Sequence, residues 1–124
     1  MKNWYTSSKQ TVVRAYHGTS KLFKKFDVEY APQGVFWFTT DIEEIKDGRA
    51  GAVSTKYILV VDLTIKEHAG WEEYERDFLE QIKANGYNSI FLDNNIVMFE
   101  TKDINIVGFF ERMSDGKYSE FRKL

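Results

Sequence analysis

Cysteine is absent from these 124 residues, which excludes disulfides and thiolate metal sites. Only two histidines, His17 and His68, are present, so an oxygen-only or mixed metal site has little to build on and no metal is expected. The formal net charge is -2, which supplies no global positive field toward nucleic acid or an anionic membrane. Nowhere do 18 apolar residues run together. The stretch Met1-Lys2-Asn3-Trp4-Tyr5-Thr6-Ser7-Ser8 also lacks the apolar run of a secretory signal, so a soluble protein of the cytoplasm with no membrane partner is expected. There is one proline, Pro32, and no repeat or low-complexity segment. What remains is 43% apolar and 16% aromatic residues, enough to bury a core in one domain of ordinary size.

Residues 1–10 read as a polar N-terminal segment, 11–110 as the folded domain, and 111–124 as a charged terminal helix or flexible tail. Thr11 to Tyr16 forms a first short strand that delivers His17 to its end. Residues 21–33 make a long excursion with a helical turn around Leu22, Phe23 and Phe26, and Val35 to Thr39 forms a second, aromatic strand. Thr40-Asp41 caps a short helix over Ile42 to Lys46 that stalls at Asp47-Gly48. Tyr57 to Ile65 is the strongest strand, with Tyr57, Leu59, Val61, Leu63 and Ile65 on one face and a central position expected. Trp71, Tyr74, Phe78, Leu79 and Ile82 recur at helical spacing, which predicts one main amphipathic helix over about 71–85, stopped by Asn85-Gly86. Strands follow at Ser89 to Leu92, Asn95 to Phe99 and Ile104 to Phe110, with Asp93-Asn94 as a turn. Strands, one strong helix and more strands imply an α+β fold rather than a parallel βαβ sheet.

Three blocks stand in order along this framework. They are Tyr16-His17-Gly18-Thr19-Ser20, then Gly34-Val35-Phe36-Trp37-Phe38-Thr39, then Gly86-Tyr87-Asn88-Ser89-Ile90 running through Asp93-Asn94-Asn95 into Ile96-Val97-Met98-Phe99-Glu100. Together they resemble the ADP-ribosyltransferase superfamily, specifically its His-Tyr-Glu branch and the short bacterial and phage members that read Tyr-His-Gly-Thr. The resemblance spans roughly residues 12–108. It implies a split antiparallel β-sheet fold, NAD as substrate and transfer of ADP-ribose to a macromolecule.

In that branch the histidine holds a ribose hydroxyl and the following glycine's backbone pairs with the nicotinamide amide, roles that fall to His17 and Gly18. An absent side chain lets a ligand reach the backbone at such a glycine. Thr19 follows as a turn residue that touches the adenosine side. The tyrosine that packs on nicotinamide aligns with Trp37, whose indole stacks at least as well as a phenol but lacks its hydroxyl. The catalytic glutamate aligns with Asn95, which carries no charge. Losing one preorganised electrostatic contact of that kind costs roughly 2.7–4 kcal/mol of barrier. Asp93 lies about 6.6 Å from Asn95 along an extended chain and shares its face if the strand reaches back that far. Glu100 has the opposite parity. Arg49, between Gly48 and Ala50-Gly51, is a phosphate or target contact, and Ser54 is a candidate for the serine some relatives use near the carboxamide.

Each position also has a plain structural reading. His17 is then a satisfied strand end, Phe36 and Phe38 are core, Asp93 is a turn aspartate, His68 is a solvated loop residue, and Lys21, Lys24 and Lys25 are the polar side of a helical turn. Small stand-alone members of the family include toxins, phage effectors and some anti-CRISPR proteins, acting in a host cytoplasm when phage-encoded. The resemblance thus implies mono-ADP-ribosylation of a protein target, with nucleic acid not indicated. A binding protein that kept the fold and lost the acid is the rival.

Overall fold

A computed structural model describes residues 10–27, 29, 31, 34–47 and 55–124. Among these, eight strands form one sheet: β1 (Thr11–Thr19), β2 (Phe36–Thr39), β3 (Tyr57–Ile65), β4 (His68–Ala69), β5 (Ser89–Leu92), β6 (Asn95–Met98), β7 (Ile104–Glu111) and β8 (Arg122–Lys123). Three short helices accompany them: α1 (Ile42–Lys46), α2 (Trp71–Arg76) and α3 (Leu79–Ala84). The strand order is β4-β5-β6-β2-β1-β3-β7-β8, and every pairing is antiparallel except β4 with β5. The α+β class and the sheet-dominated architecture follow from this.

The two halves of the sheet are joined narrowly. β1 runs in register with β3 from Thr11↔Ile65 to Thr19↔Tyr57, but it meets β2 at the single pair Tyr16↔Thr39. One block is therefore β1-β3-β7-β8 and the other β2-β6-β5-β4, and the ladder between them opens on either side of one residue pair.

Side-chain alternation builds two cores. Ala15, Leu59, Val61, Leu63, Ile65, Phe36, Phe38, Ile96 and Met98 face one side of both blocks, where Phe26 closes over them. Val35, Val97, Phe99, Ile90 and Leu92 face the other side of the second block, covered by Ile82 of α3. β3 carries the expected inward series, and as the strand between β1 and β7 it also buries Ile58 and Val60 on its second face.

The single helix expected over 71–85 is two helices. The chain leaves helical geometry at Asp77 (ψ 154°) and Phe78 (ψ 153°). Asp77 Oδ1 and Oδ2 accept from Arg76, while the Phe78 carbonyl accepts from Gln81 and Ile82 to start α3. The break re-phases the apolar face: Ile82 is fully buried and Tyr74 and Leu79 pack on the second core, whereas Phe78 is 82% exposed at the bend. Helical spacing assigns Phe78 to the core, and the bend removes it. The stop after α3 is as expected, with Asn85 as cap and Gly86 at φ +97°, a conformation that favours glycine.

Residues 112–124 form neither helix nor loose tail. Arg112 bridges to Tyr118, and β8 pairs with β7 at Gly108↔Lys123 and Phe109↔Arg122. Gly108 permits this return, since a Cβ there would collide with the Phe121 ring and the Arg122 carbonyl.

Candidate functional site

β1 carries His17 to the place where the sheet divides. Beyond Tyr16↔Thr39 the β1–β2 ladder stops, and the His17 side chain takes over the connection, its Nδ1 lying 2.8 Å from the Trp37 carbonyl oxygen. A carbonyl only accepts, so Nδ1 carries the proton and Nε2 of the neutral ring is left as an acceptor. The ring sits edge-on to Phe26 at 5.1 Å between centroids and tilted against Phe38 at 5.5 Å. Burial favours the neutral imidazole and pushes its pKa below the ordinary value, outweighing the Trp37 hydrogen bond, which acts in the opposite direction. Nε2 has no hydrogen-bond partner among the described residues.

Trp37 turns the other way. Its ring is 39% exposed and lies edge-on to Tyr74 at 6.3 Å, and Tyr74 in turn meets Trp71 at 5.9 Å. The His17 and Trp37 rings therefore stand on opposite faces of β2. They are joined through the Trp37 carbonyl at the opening of the split. Gly18 alternates with His17 and shares the Trp37 side, pairing with Ile58 on β3. The first strand does not end at Tyr16 as expected but runs through His17 to Thr19, which pairs with Tyr57 and is a strand residue rather than a turn residue. Its hydroxyl holds the turn that follows, donating to Lys21 O at 3.0 Å and accepting from Lys21 N at 3.3 Å.

Asn95 opens β6 directly opposite Thr39 on β2 and Leu92 on β5. Its half-buried carboxamide makes no hydrogen bond among the described residues. The hairpin tip is held against β2 by Asn94, whose carbonyl accepts from Thr40 N at 2.8 Å and Thr40 Oγ1 at 3.3 Å. Asp93 is in the two-residue loop at φ +59°, exposed, and β6 begins only at Asn95, so the condition for the two side chains to share a strand face is not met. Arg49 and Ser54 lie outside the described residues.

Sequence reasoning passed over Thr39 and Glu44. Thr39 is 2% exposed, and its hydroxyl donates to Glu44 Oε1 at 2.6 Å while accepting from Asp41 N at 3.1 Å. The available signal was Asp41-Ile42-Glu43-Glu44, the spacing of a helix-start capping box.

The third block has a structural centre of its own. Asn88 donates to Thr64 O at 2.8 Å and to Asp103 Oδ2 at 3.2 Å, and accepts from Lys66 N at 3.0 Å and Ser89 Oγ at 3.1 Å. It thereby ties β3, β5 and the 3-10 turn at Thr101–Asp103 together around the 5% exposed Asp103. His68 is exposed and stacks on Phe91 at 4.2 Å on the short edge strand β4, so it belongs to an edge rather than to a loop. No group of three or more metal-binding side chains occurs among the described residues, and no helix there is long and apolar enough to cross a membrane.

Near the narrow β1–β2 junction stand the His17 ring on one face of the sheet and, on β2 and its neighbours, the partly exposed Trp37 indole, the Asn95 carboxamide without a hydrogen bond among the described residues, and the Glu44 carboxylate on Thr39. Such a set can orient a polar, aromatic ligand and stabilise positive charge on it. Comparison of this chain with models of protein families, with curated proteins and with solved structures finds no match.

Proposed function

We infer that this chain is a mono-ADP-ribosyltransferase that takes ADP-ribose from NAD and attaches it to a protein target. The observation that carries the reading is the His17 bridge. The first two blocks of the family resemblance meet at the narrow β1–β2 junction, through a neutral imidazole whose Nε2 has no hydrogen-bond partner among the described residues and can accept from a ribose hydroxyl. In this reading Gly18 gives NAD close backbone approach, Trp37 stacks on nicotinamide, and Thr19 shapes the turn beside the adenosine side.

The chemistry is heterolysis at the nicotinamide ribose. The bond from ribose C1′ to the pyridinium nitrogen breaks, its electron pair leaves on neutral nicotinamide, and positive charge passes to the ribosyl group. The acceptor's lone pair then bonds C1′, and the acceptor loses its proton. Rigid groups around the split contribute by orientation and by electrostatic stabilisation of the cation. With a toxin or phage effector as its context, the protein would work in the cytoplasm of the cell it attacks.

Asn95 favours a second reading: a protein that keeps the fold and binds NAD, ADP-ribose or a protein partner without catalysis. One experiment separates the two. Lysate proteins are incubated with labelled NAD and either the parent protein or His17→Ala, and label is followed by intact mass. Label on a discrete protein that disappears with His17→Ala is the expected result. Absence of label with the parent, together with saturable NAD binding or a stable protein complex, would replace the transferase with the binding protein.

A further inference from the structure

The position aligned with the family's acid holds an amide, yet a carboxylate lies against the same neighbour. We propose that Glu44 supplies the negative charge that stabilises the ribosyl cation, in the place that Asn95 leaves neutral. This rests on the transferase reading above and assigns a further residue to that site.

Thr39 is the one β2 residue in register with both neighbouring strands, with Tyr16 on β1 and with Asn95 on β6. Opposed residues of an antiparallel pair on one face keep their Cβ atoms about 4.5–5.5 Å apart. Asn95 thus stands opposite Thr39 in the ladder while the Glu44 carboxylate holds the Thr39 hydroxyl, beside the narrow β1–β2 junction. The Thr39 hydroxyl has one proton, and the 2.6 Å bond to Glu44 Oε1 claims it over the Asp41 carbonyl at 3.4 Å. One carboxylate oxygen is anchored, and Oε2 has no partner among the described residues. Glu44 is half-buried, so it is held in place yet reachable.

Other nearby carboxylates are committed elsewhere. Asp62 is paired with Arg14 across β1 and β3, Asp41 accepts from Glu43 N at the start of α1, and Glu43 reaches Lys46. Asp93 stands in the exposed hairpin loop.

Glu44 has an ordinary duty as well. It is the third helical residue after Asp41, where a glutamate reaches back to the helix start, here through the Thr39 hydroxyl. That duty needs an acceptor oxygen and not a charge, and glutamine supplies one. The proposed role needs the charge. As the C1′–nicotinamide bond breaks with its electron pair leaving on nicotinamide, the carboxylate faces the cation. When the acceptor bonds C1′, Oε2 takes the proton the acceptor gives up.

The test uses the purified protein with three readouts: free nicotinamide released from NAD, NAD affinity by titration calorimetry, and the thermal midpoint. Glu44→Gln is expected to keep the midpoint and to bind NAD within about two-fold of the parent, while nicotinamide release falls by about 10²–10³-fold. Adding Asn95→Glu to Glu44→Gln is expected to restore release at least about ten-fold by returning a carboxylate to the opposed position. Parental release by Glu44→Gln overturns the assignment and leaves the transferase reading intact. A lowered midpoint in Glu44→Gln with no recovery in the double variant overturns it too, because the residue is then only a helix cap. Failure of the parent to bind or cleave NAD overturns both the assignment and the reading it rests on.

Discussion

Replacing His17 with phenylalanine tests the junction of the sheet directly, because it preserves the aromatic contacts with Phe26 and Phe38 and removes only the hydrogen bond to Trp37 and the titrating group. At pH 8 the variant leaves the Trp37 carbonyl without its partner across the split. A lost hydrogen bond is worth about 0.5–1.5 kcal/mol, so an overall loss of about 1 kcal/mol is expected. The pH dependence carries the sharper signature. Burial depresses the His17 pKa in the folded protein, while in the unfolded chain it stays near its ordinary value of about 6.5. Above that value both states are neutral and the contribution is fully present. As pH falls below it, the unfolded chain takes up a proton that the folded protein refuses, and stability drops by up to about 1.4 kcal/mol per pH unit until the folded pKa is passed. Urea titrations of both proteins at pH 8, 7, 6 and 5 isolate this component, since the carboxylates common to both cancel in the difference. The gap between parent and His17→Phe is expected to narrow steadily below pH 6.5. A gap that is constant or widens toward acid would refute the neutral His17 with a lowered pKa and with it the Nε2 acceptor.

Two further substitutions separate the bent helix pair from a continuous helix. Phe78→Ser is expected to change stability by no more than about 0.5 kcal/mol, because the ring is 82% exposed, while Ile82→Ala costs about 2–5 kcal/mol. Chemical denaturation measures both, and comparable large losses would restore the single helix. Asn88→Ala strips Asp103 and the Thr64 carbonyl of a shared partner and is expected to cost about 3 kcal/mol. A circular-dichroism melt with an unchanged midpoint would contradict the clamp assigned to Asn88.

Much of the framework was legible because it is set by local rules. The alternation along Tyr57–Ile65, the Asp41 cap, the Asp93-Asn94 loop and the Asn85-Gly86 stop each follow from periodicity or turn chemistry within a few residues. What was not legible depends on partners distant in sequence. Phe78 and Ile82 both fit a helical stripe, and only the packing of Tyr74 and Ile82 over the second core selects the break between them. The return of 112–124 needs Gly108 as an open seat for Phe121, a pairing that charge and composition do not announce. At the site, His17 and Trp37 are recognisable as residue types, but their opposite facing follows from the single-pair junction of β1 and β2. Glu44 reads as an ordinary helix-start glutamate until Thr39 is placed between Tyr16 and Asn95.

The central claim is that the opening between β1 and β2 takes NAD, and the most direct measurement is an NMR titration of the isotopically labelled protein with NAD, following the His17 ring nitrogens and the Trp37 indole N–H. The account predicts saturable shifts at His17 Nε2 and at Trp37, both lost in His17→Ala, with nicotinamide appearing as the sample ages. Unchanged resonances at both residues at millimolar NAD would contradict it.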